Sequence, residues 1–228
     1  MIISLLGLMD TPLTMLAVLI AFMSALFICM PAHEFAHAHA AYKEGDLTAK
    51  TLGRYTLAPF AHIDFKGLLL LLFFGIGFAK PVPIDKRNFK RGWKSEVRVS
   101  VAGVLTNLVI GVVGCLIYSV VENFCPELFV NYGFLSSLYY YFIIYIINLN
   151  FMFAFFNLLP IYPLDGFRVV EAVSKTENAY IRFMKIYSFW IILILLISGI
   201  LDIYINFFAG GLLDLILKGF NALFKLFV

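Results

Sequence analysis

Long runs of apolar residues alternate with short charged segments along this chain. The nineteen residues from Pro12 to Met30 carry no charge, and a helix of that length is long enough to cross a bilayer. Further apolar runs extend from about Val97 to Val121, from Ser136 to Leu159 and from Lys185 to Phe208. The pattern predicts an α-helical polytopic membrane protein with about four transmembrane helices.

The composition agrees with a lipid environment. Of the 228 residues, 62% are hydrophobic and 14% are charged, whereas an ordinary soluble domain has about 25% charged residues. A soluble fold of this size could not bury so much apolar surface. The composition therefore excludes a cytosolic enzyme and a disordered chain, and three cysteines are too few for a disulfide scaffold. We expect a single domain, residues 1–228, with no appended soluble domain.

Three segments outside these runs predict other structures. Thr48–His62 is rich in Thr, Leu and Tyr and is broken by Gly53 and Pro59, which predicts short strands and turns. Gly67–Phe78 is strongly apolar, but as a helix it would rise only about 18 Å. A re-entrant segment is therefore favoured over a surface loop, and we expect a cytoplasmic-side re-entrant region of β-strands and loops. The tail, Gly211–Val228, carries three charges and is predicted to form an interfacial C-terminal helix.

Lysine and arginine are distributed unevenly between the predicted spans. Eleven of the seventeen lie around the connection between the first and second spans, four lie between the third and fourth, and residues 122–135 have none. Because cytoplasmic loops accumulate basic residues, we expect a multi-pass protein of the cell (inner) membrane with its N-terminus outside. The basic run from Lys86 to Arg98 follows from the same rule and from contact with lipid headgroups, so nucleic acid is not an expected partner.

The residues that point most clearly to chemistry are His33-Glu34-x-x-His37, near the cytoplasmic end of the first span. On a helix, positions four apart lie about 40° apart on one face. His33 and His37 can therefore present two imidazoles to one zinc ion. Glu34 is about 100° from His33, beside the metal, where a general base is needed. A purely structural histidine pair is the alternative.

A catalytic zinc site has a third protein ligand. Asp165 is the strongest candidate, because it ends a long apolar span at a point where Pro163 and Gly166 break the helix. Its alternative role is to cap the next helix. His62 and Asp64 remain open as ligands. Glu171 is the candidate if the third ligand of the site is a glutamate.

Asn107 lies inside the second predicted span. An amide surrounded by lipid needs a hydrogen-bonding partner. The side chain could bond another helix, or it could contribute to substrate or oxyanion binding. The residues leave both roles open.

Together these motifs resemble the site-2 protease family of intramembrane zinc metalloproteases, peptidase family M50. The resemblance rests on four segments: His33-Glu34-x-x-His37, Gly77–Phe89, Ala102–Asn107 and Asn157–Arg168. The third is similar to the family's Ala-Gly-Pro-x-x-Asn segment, and the fourth to its Asn-x-x-Pro…Leu-Asp-Gly motif. Val104 replaces a common proline and Phe167 a common second glycine, and neither position is a predicted ligand.

The resemblance implies a zinc-dependent endopeptidase that hydrolyses a peptide bond in a transmembrane segment of a membrane protein. The Gly-rich re-entrant region would offer an edge strand to that substrate. Zinc, one ion per chain, would be the cofactor, and the lipid bilayer and a transmembrane substrate would be the partners. The implied residues are the metal ligands His33, His37 and Asp165, the base Glu34 that activates the zinc-bound water, and Asn107 and Asn157 as candidates for substrate or oxyanion binding.

Two other classes of protein could use the same residues. A membrane metal transporter could use His33, His37 and Asp165 as a transit site, but transporters often contain internal repeats, and the sequence shows none. A non-catalytic membrane binding protein would not need Glu34, since only catalysis requires that carboxylate. Both classes fit the sequence less well than a protease does.

Overall fold

The computed structural model describes residues 12–74, 80–130, 133–174 and 176–226. Helices and loops make up these ranges, and no strand occurs in them. A 3₁₀ turn (Lys86–Asn88) and a π-helical turn (Asn206–Gly210) also occur. In chain order the helices are α1 (Pro12–Lys43), α2 (Thr48–Thr51), α3 (Pro59–His62), α4 (Phe65–Phe74), α5 (Trp93–Phe124), α6 (Glu127–Val130), α7 (Phe134–Asn157), α8 (Asp165–Ser174), α9 (Ala179–Ile197), α10 (Ile200–Ile205) and α11 (Gly211–Phe224).

Five helices in the described ranges are long and apolar enough to cross a membrane: α1, α5, α7, α9 and the continuous helix Ile200–Phe224. The first three correspond to the first three predicted spans, which confirms a helical, multi-pass protein. The fourth predicted span, Lys185–Phe208, is instead divided between two helices. Gly199 has a φ of 73°, a left-handed conformation that glycine adopts without strain and that ends α9. The predicted interfacial tail is the second half of the helix that follows.

The frame of the bundle is the packing of α1, α5 and α7. Gly111 and Gly114 of α5 allow this packing, because a Cβ on either would come within 2.9 Å of Phe151 or Ile147 of α7. Small residues of this kind let transmembrane helices approach closely when lipid supplies no hydrophobic driving force. On the other side of α7, Leu149 packs with residues of α1. The three helices therefore hold the end of α1 that carries the two histidines.

The predicted strands within Thr48–His62 are wrong, because the segment forms two helical turns. At the first turn, Asp46 accepts a hydrogen bond from the Thr48 backbone N–H (3.0 Å) and another from its hydroxyl. At the second, Pro59 occupies the first turn of α3, where its fixed φ is favourable. These local contacts and the proline outweigh the strand preference of Thr and Tyr. Of the predicted re-entrant segment, residues 67–74 belong to α4, and residues 75–78 lie outside the described residues.

A buried carboxylate joins the end of α1 to the start of α5. Glu44 accepts hydrogen bonds from the Ser95 hydroxyl (2.6 Å) and from the Arg91 guanidinium, and Arg98 lies 3.2 Å from it. The Ser95 hydrogen bond and the two arginines lower the pKa of Glu44 from 4.5 to about 2. This cluster fixes the register between the two helices whose inner faces form the site.

We predict that Glu44→Gln lowers the free energy of unfolding by about 1 kcal/mol, since both arginines are half exposed and solvent weakens their ion pairs. Because the pKa of Glu44 is depressed in the folded protein, the wild-type advantage is complete above about pH 4.5 and is lost as the pH falls toward 2. Thermal unfolding of metal-free protein in detergent at pH 7 and at pH 3 measures it. The control is Glu127→Gln, an exposed position. Equal unfolding of the two variants at pH 7 would contradict the prediction.

Candidate metal centre

Two histidines of α1 and one aspartate of α8 converge inside the bundle. Nε2 of His33 and Nε2 of His37 lie 3.0 Å apart. They lie 3.2 and 3.1 Å, respectively, from Oδ2 of Asp165. All three residues are buried, and their ligand atoms lie within 4.8 Å of one another. The two predicted histidines and the strongest third candidate are thus brought together across 132 residues of chain.

Helix α5 sets the direction of both imidazoles. Nδ1 of His37 donates to the backbone carbonyl of Val99 (2.8 Å), and Nδ1 of His33 donates to Oδ1 of Asn107 (3.0 Å). Because a carbonyl only accepts, Nδ1 of His37 carries a proton, and in the neutral ring Nε2 therefore has a lone pair. The contact to Asn107 gives His33 the same tautomer. Hydrogen bonds of this kind commonly orient histidines that bind metals.

The donor set fits a zinc ion. Two nitrogen lone pairs and a carboxylate oxygen face one another, and Oδ2 of Asp165 is buried without a hydrogen-bond partner. Three buried acceptors in such proximity repel one another unless a cation lies between them. Zinc bonds of about 2.0–2.2 Å place tetrahedral ligands about 3.3–3.6 Å apart, slightly farther than the 3.0–3.2 Å observed. Nitrogen and oxygen ligands are also those that zinc prefers.

Asp165 reaches the histidines because the chain turns sharply between α7 and α8. Residues 158–164 form this turn, and Gly166 lies against its first residues. A Cβ on Gly166 would come within 2.2 Å of the Leu158 carbonyl oxygen, so only glycine allows α8 to begin this close to the end of α7. The helix break that the sequence predicted is therefore present, and the carboxylate lies at the first position of α8.

Gly103 of α5 provides the space that the imidazoles occupy. A Cβ at this position would lie 2.5 Å from Nε2 of His37 and 2.6–2.7 Å from two atoms of His33. The backbone of α5 thus passes directly behind the metal-facing atoms. The sequence placed Gly103 in a family-like segment, but it gave no indication that the absence of a side chain is what matters there.

Glu34 is buried and lies beside the cluster. Its Oε2 accepts a hydrogen bond from the backbone N–H of Val82 (2.9 Å). Val82 belongs to the stretch 80–85 between α4 and the 3₁₀ turn, and the Arg54 guanidinium donates to the carbonyls of Lys80 and Pro81 in that stretch. The backbone of a loop therefore orients the predicted base, a contact that no residue pattern could reveal.

A cavity of about 440 Å³ contains the cluster and Glu34. Met30, Phe153 and Phe156 form an apolar part of its wall, and Pro81 and Arg168 line another part. Asn157 also lines it, and its amide donates to the Phe153 carbonyl (3.0 Å). Asn107 lies behind His33, on the side of α5. The two asparagines thus occupy different positions relative to the cluster.

The other candidate ligands lie elsewhere. His62 contacts the Thr56 carbonyl through Nε2 (2.7 Å), and Asp64 caps the start of α4 by accepting from two backbone N–H groups. Glu171 forms ion pairs of 2.8 Å with both Lys86 and Lys185. Each of these three side chains already has partners of its own, and none belongs to the cluster that could hold a metal.

Comparison with known proteins agrees with a metal centre that binds zinc. The family model of "Peptidase family M50" matches residues 127–198. Protein YwhC of Bacillus subtilis (strain 168), whose name classes it among the zinc metalloproteases, is 35% identical over 201 residues, which cover 88% of this chain and 90% of YwhC. "Zinc metalloprotease MJ0392" of Methanocaldococcus jannaschii is 27% identical over 162 residues, 71% of this chain but 36% of that protein. No solved structure matches.

The helical membrane bundle, the His-His-Asp cluster and these relatives define a membrane zinc metalloprotease. The chain belongs to peptidase family M50, the site-2 protease family. It is a metalloendopeptidase, and its cofactor is Zn²⁺.

We predict that Gly103→Ala removes zinc from the protein while the bundle still folds, because the added methyl group would lie only 2.5 Å from Nε2 of His37 and would displace the imidazoles. Metal analysis of the purified protein, together with helix content by circular dichroism, measures the effect. Gly219→Ala is the matched control, since a Cβ there meets nothing within 4 Å. Full zinc occupancy in the Gly103 variant would show that α5 does not pack against the histidines in this way.

Proposed function

We propose that the protein cleaves a peptide bond within a transmembrane segment of a membrane protein, with His33, His37 and Asp165 holding one zinc ion per chain. The observation that carries this proposal is the convergence of three buried ligand atoms, at the end of a membrane-length helix, in one cavity with Glu34. Ionisable groups within a membrane-spanning helix cost free energy unless they are paired or bind a ligand, so they usually mark a functional site.

Glu34 is the proposed general base. Bound zinc supplies Lewis acidity, which polarises a carbonyl and lowers the pKa of water. Glu34 accepts a proton from the attacking water and passes it to the leaving amide nitrogen. The Val82 N–H holds one oxygen of the carboxylate and so keeps the side chain directed into the cavity. The peptide C–N bond breaks, and a carboxylate and an amine form.

The substrate class follows from the cavity wall. Met30, Phe153 and Phe156 offer apolar contacts to a segment that arrives from lipid. A peptide bond in a helix is already hydrogen-bonded, so the segment must unwind before water can reach it, and its backbone groups then need new partners. Asn157 lines the cavity and is a candidate for such a contact. Asn107 fits a positioning role better, because its Oδ1 is engaged by His33.

A metal transporter is less well supported. The relatives are named as proteases, and one cluster of metal-binding side chains occurs among the described residues. Transit would need further polar side chains that lead from this cluster to the opposite face. Zinc flux in proteoliposomes, measured beside peptide hydrolysis, distinguishes the two classes.

We predict that Glu34→Gln retains zinc but loses cleavage of a co-expressed transmembrane substrate by a factor of about 10²–10⁴, the usual contribution of a general base. Asp165→Ala should lose both zinc and cleavage, because it removes a ligand. Glu127→Gln, at an exposed position on α6, is the control for the loss of a carboxylate. Undiminished cleavage by the Glu34 variant would refute the assignment of the base.

For the membrane topology we propose that the site end of the bundle faces the cytoplasm and the N-terminus lies outside, as the distribution of basic residues indicates. The last long helix bears on the number of crossings. Tyr204 donates to the Phe155 carbonyl (3.3 Å), close to the site. Asn221 accepts from Asn123 at the far end of α5 (3.2 Å). Ile200–Phe224 therefore runs from the site end to the opposite end.

Helix α9 begins at the site end as well. The hydroxyl of Tyr180 donates to the Pro160 carbonyl, and Lys185 forms an ion pair with Glu171 (2.8 Å). The helix also ends there, because Ile200, the first residue of the last long helix, follows its end closely. A nineteen-residue helix rises about 28 Å, so α9 can begin and end at the site end only if it runs along the membrane surface. We infer four crossings, α1, α5, α7 and Ile200–Phe224, with α9 on the cytoplasmic side.

Labelling of intact cells with a membrane-impermeant maleimide tests this topology. Native Cys125 is exposed at the outer end of α5 and should react, as should Lys225→Cys. Ser198→Cys, in a Cys125→Ser background, should react only after permeabilisation. If intact cells label both Ser198→Cys in that background and Cys125 in the wild-type protein, α9 crosses the membrane. A reversed orientation would invert all three results together, so it is distinguishable.

A further inference from the structure

A second cavity, of about 450 Å³, adjoins the site cavity. The two cavities share Pro81, Pro163 and Arg168 as wall residues. Apolar side chains, among them Phe89 and Phe167, line much of the second cavity. We call it the cytoplasmic cavity, because it lies next to the charged starts of α5 and α9, which face the cytoplasm in the proposed topology.

The rim of the cytoplasmic cavity is charged but internally paired. Nζ of Lys86 lies 2.8 Å from a carboxylate oxygen of Glu96 and 2.8 Å from one of Glu171. Lys185 pairs with the other oxygen of Glu171 (2.8 Å). These ion pairs join the loop before α5 to α5, α8 and α9. The ion pairs of the rim therefore stabilise the shape of the cavity. Because they neutralise one another, they do not require an ionic ligand.

Arg168 differs from these paired groups. It is half buried at the junction of the two cavities, and its nearest acidic atom, Oδ1 of Asp165, is 3.9 Å away, beyond hydrogen-bonding distance. Among the described residues, no hydrogen bond satisfies its guanidinium. Its side chain is 34% exposed, so solvent can satisfy its donors when no ligand is bound. Arg168 can therefore exchange solvent for an oxygen ligand in either of the two cavities that it lines.

We propose that the cytoplasmic cavity binds the part of the substrate that follows the cleaved bond toward the cytoplasm, as an extended peptide with a bulky apolar side chain, and that Arg168 donates to a backbone carbonyl of that peptide. This inference rests on the proposed function. Unwinding leaves peptide carbonyls without partners, and Arg168 supplies donors where the two cavities meet. The apolar lining accommodates the side chain.

The wall between the cavities supports this path. Val82 donates to Glu34 on one side, and Arg54 holds the carbonyls of Lys80 and Pro81. A peptide that extends from the site cavity into the cytoplasmic cavity would pass Pro81, which lines both cavities, next to Val82 and the proposed base. The cleaved bond would thus be fixed by contacts on both of its sides.

Binding of two labelled peptides to the Glu34→Gln protein in nanodiscs tests the proposal without turnover. The long peptide contains a transmembrane segment and its cytoplasmic flank, and the short peptide lacks the flank. We expect Arg168→Gln, added to Glu34→Gln, to weaken binding of the long peptide about tenfold, as for one lost charge-assisted hydrogen bond. Binding of the short peptide and the zinc content should not change. Arg182→Gln, exposed on α9, is the matched control.

A second variant covers the case in which Arg168→Gln disturbs the fold. Ser100 is buried on α5 and lines the cytoplasmic cavity but not the site cavity. Ser100→Leu should narrow the cytoplasmic cavity and weaken binding of the long peptide selectively. Equal effects of these variants on both peptides, or no effect on either, would overturn the proposal. If wild-type protein hydrolyses neither peptide, the proposed function has failed instead.

Discussion

The whole structure depends on placing two imidazole lone pairs and a carboxylate oxygen together where lipid surrounds the protein. Such a group of acceptors is unstable in an apolar bundle without a cation. The chain meets this constraint with neighbouring helices. The first presents the histidines, α5 fixes their tautomers through Val99 and Asn107, and the turn before α8 brings in Asp165. The bundle is built around the site.

Close helix approach is what makes the arrangement fit. The glycines of α5 face large side chains at three levels, with Gly103 against the imidazoles and Gly111 and Gly114 against α7. One helix therefore contacts both the metal-binding residues and the lipid-embedded core. In the bilayer, where apolar burial between helices gains little, close contact of this kind supplies much of the packing energy. Stability and metal binding consequently depend on the same helix face.

The sequence predicted the parts of this site that follow from periodicity. Helical geometry placed His33, Glu34 and His37, and a helix break placed Asp165. The contacts of Val82 and Val99 escaped prediction because backbone atoms make them, and Gly103 acts through the side chain it lacks. Elsewhere, the hydrogen bonds of Asp46 and a first-turn proline favour helical turns where Thr and Tyr predicted strands. The last span was misplaced because a single left-handed glycine divides a uniformly apolar run, which hydropathy alone does not detect.

The hydrogen bond between the Val82 N–H and Glu34 has a consequence for which substitutions the loop tolerates. An amide proton is present in nineteen of the twenty amino acids, so residue 82 can change its side chain and still orient the carboxylate. Proline alone lacks that proton. The loop nevertheless carries proline at positions 81 and 83, on both sides of residue 82. A shift of one residue in either direction would therefore place a proline opposite Glu34 and leave the carboxylate without its donor, so the alternation of residues 81–83 ties the proposed base to a single register.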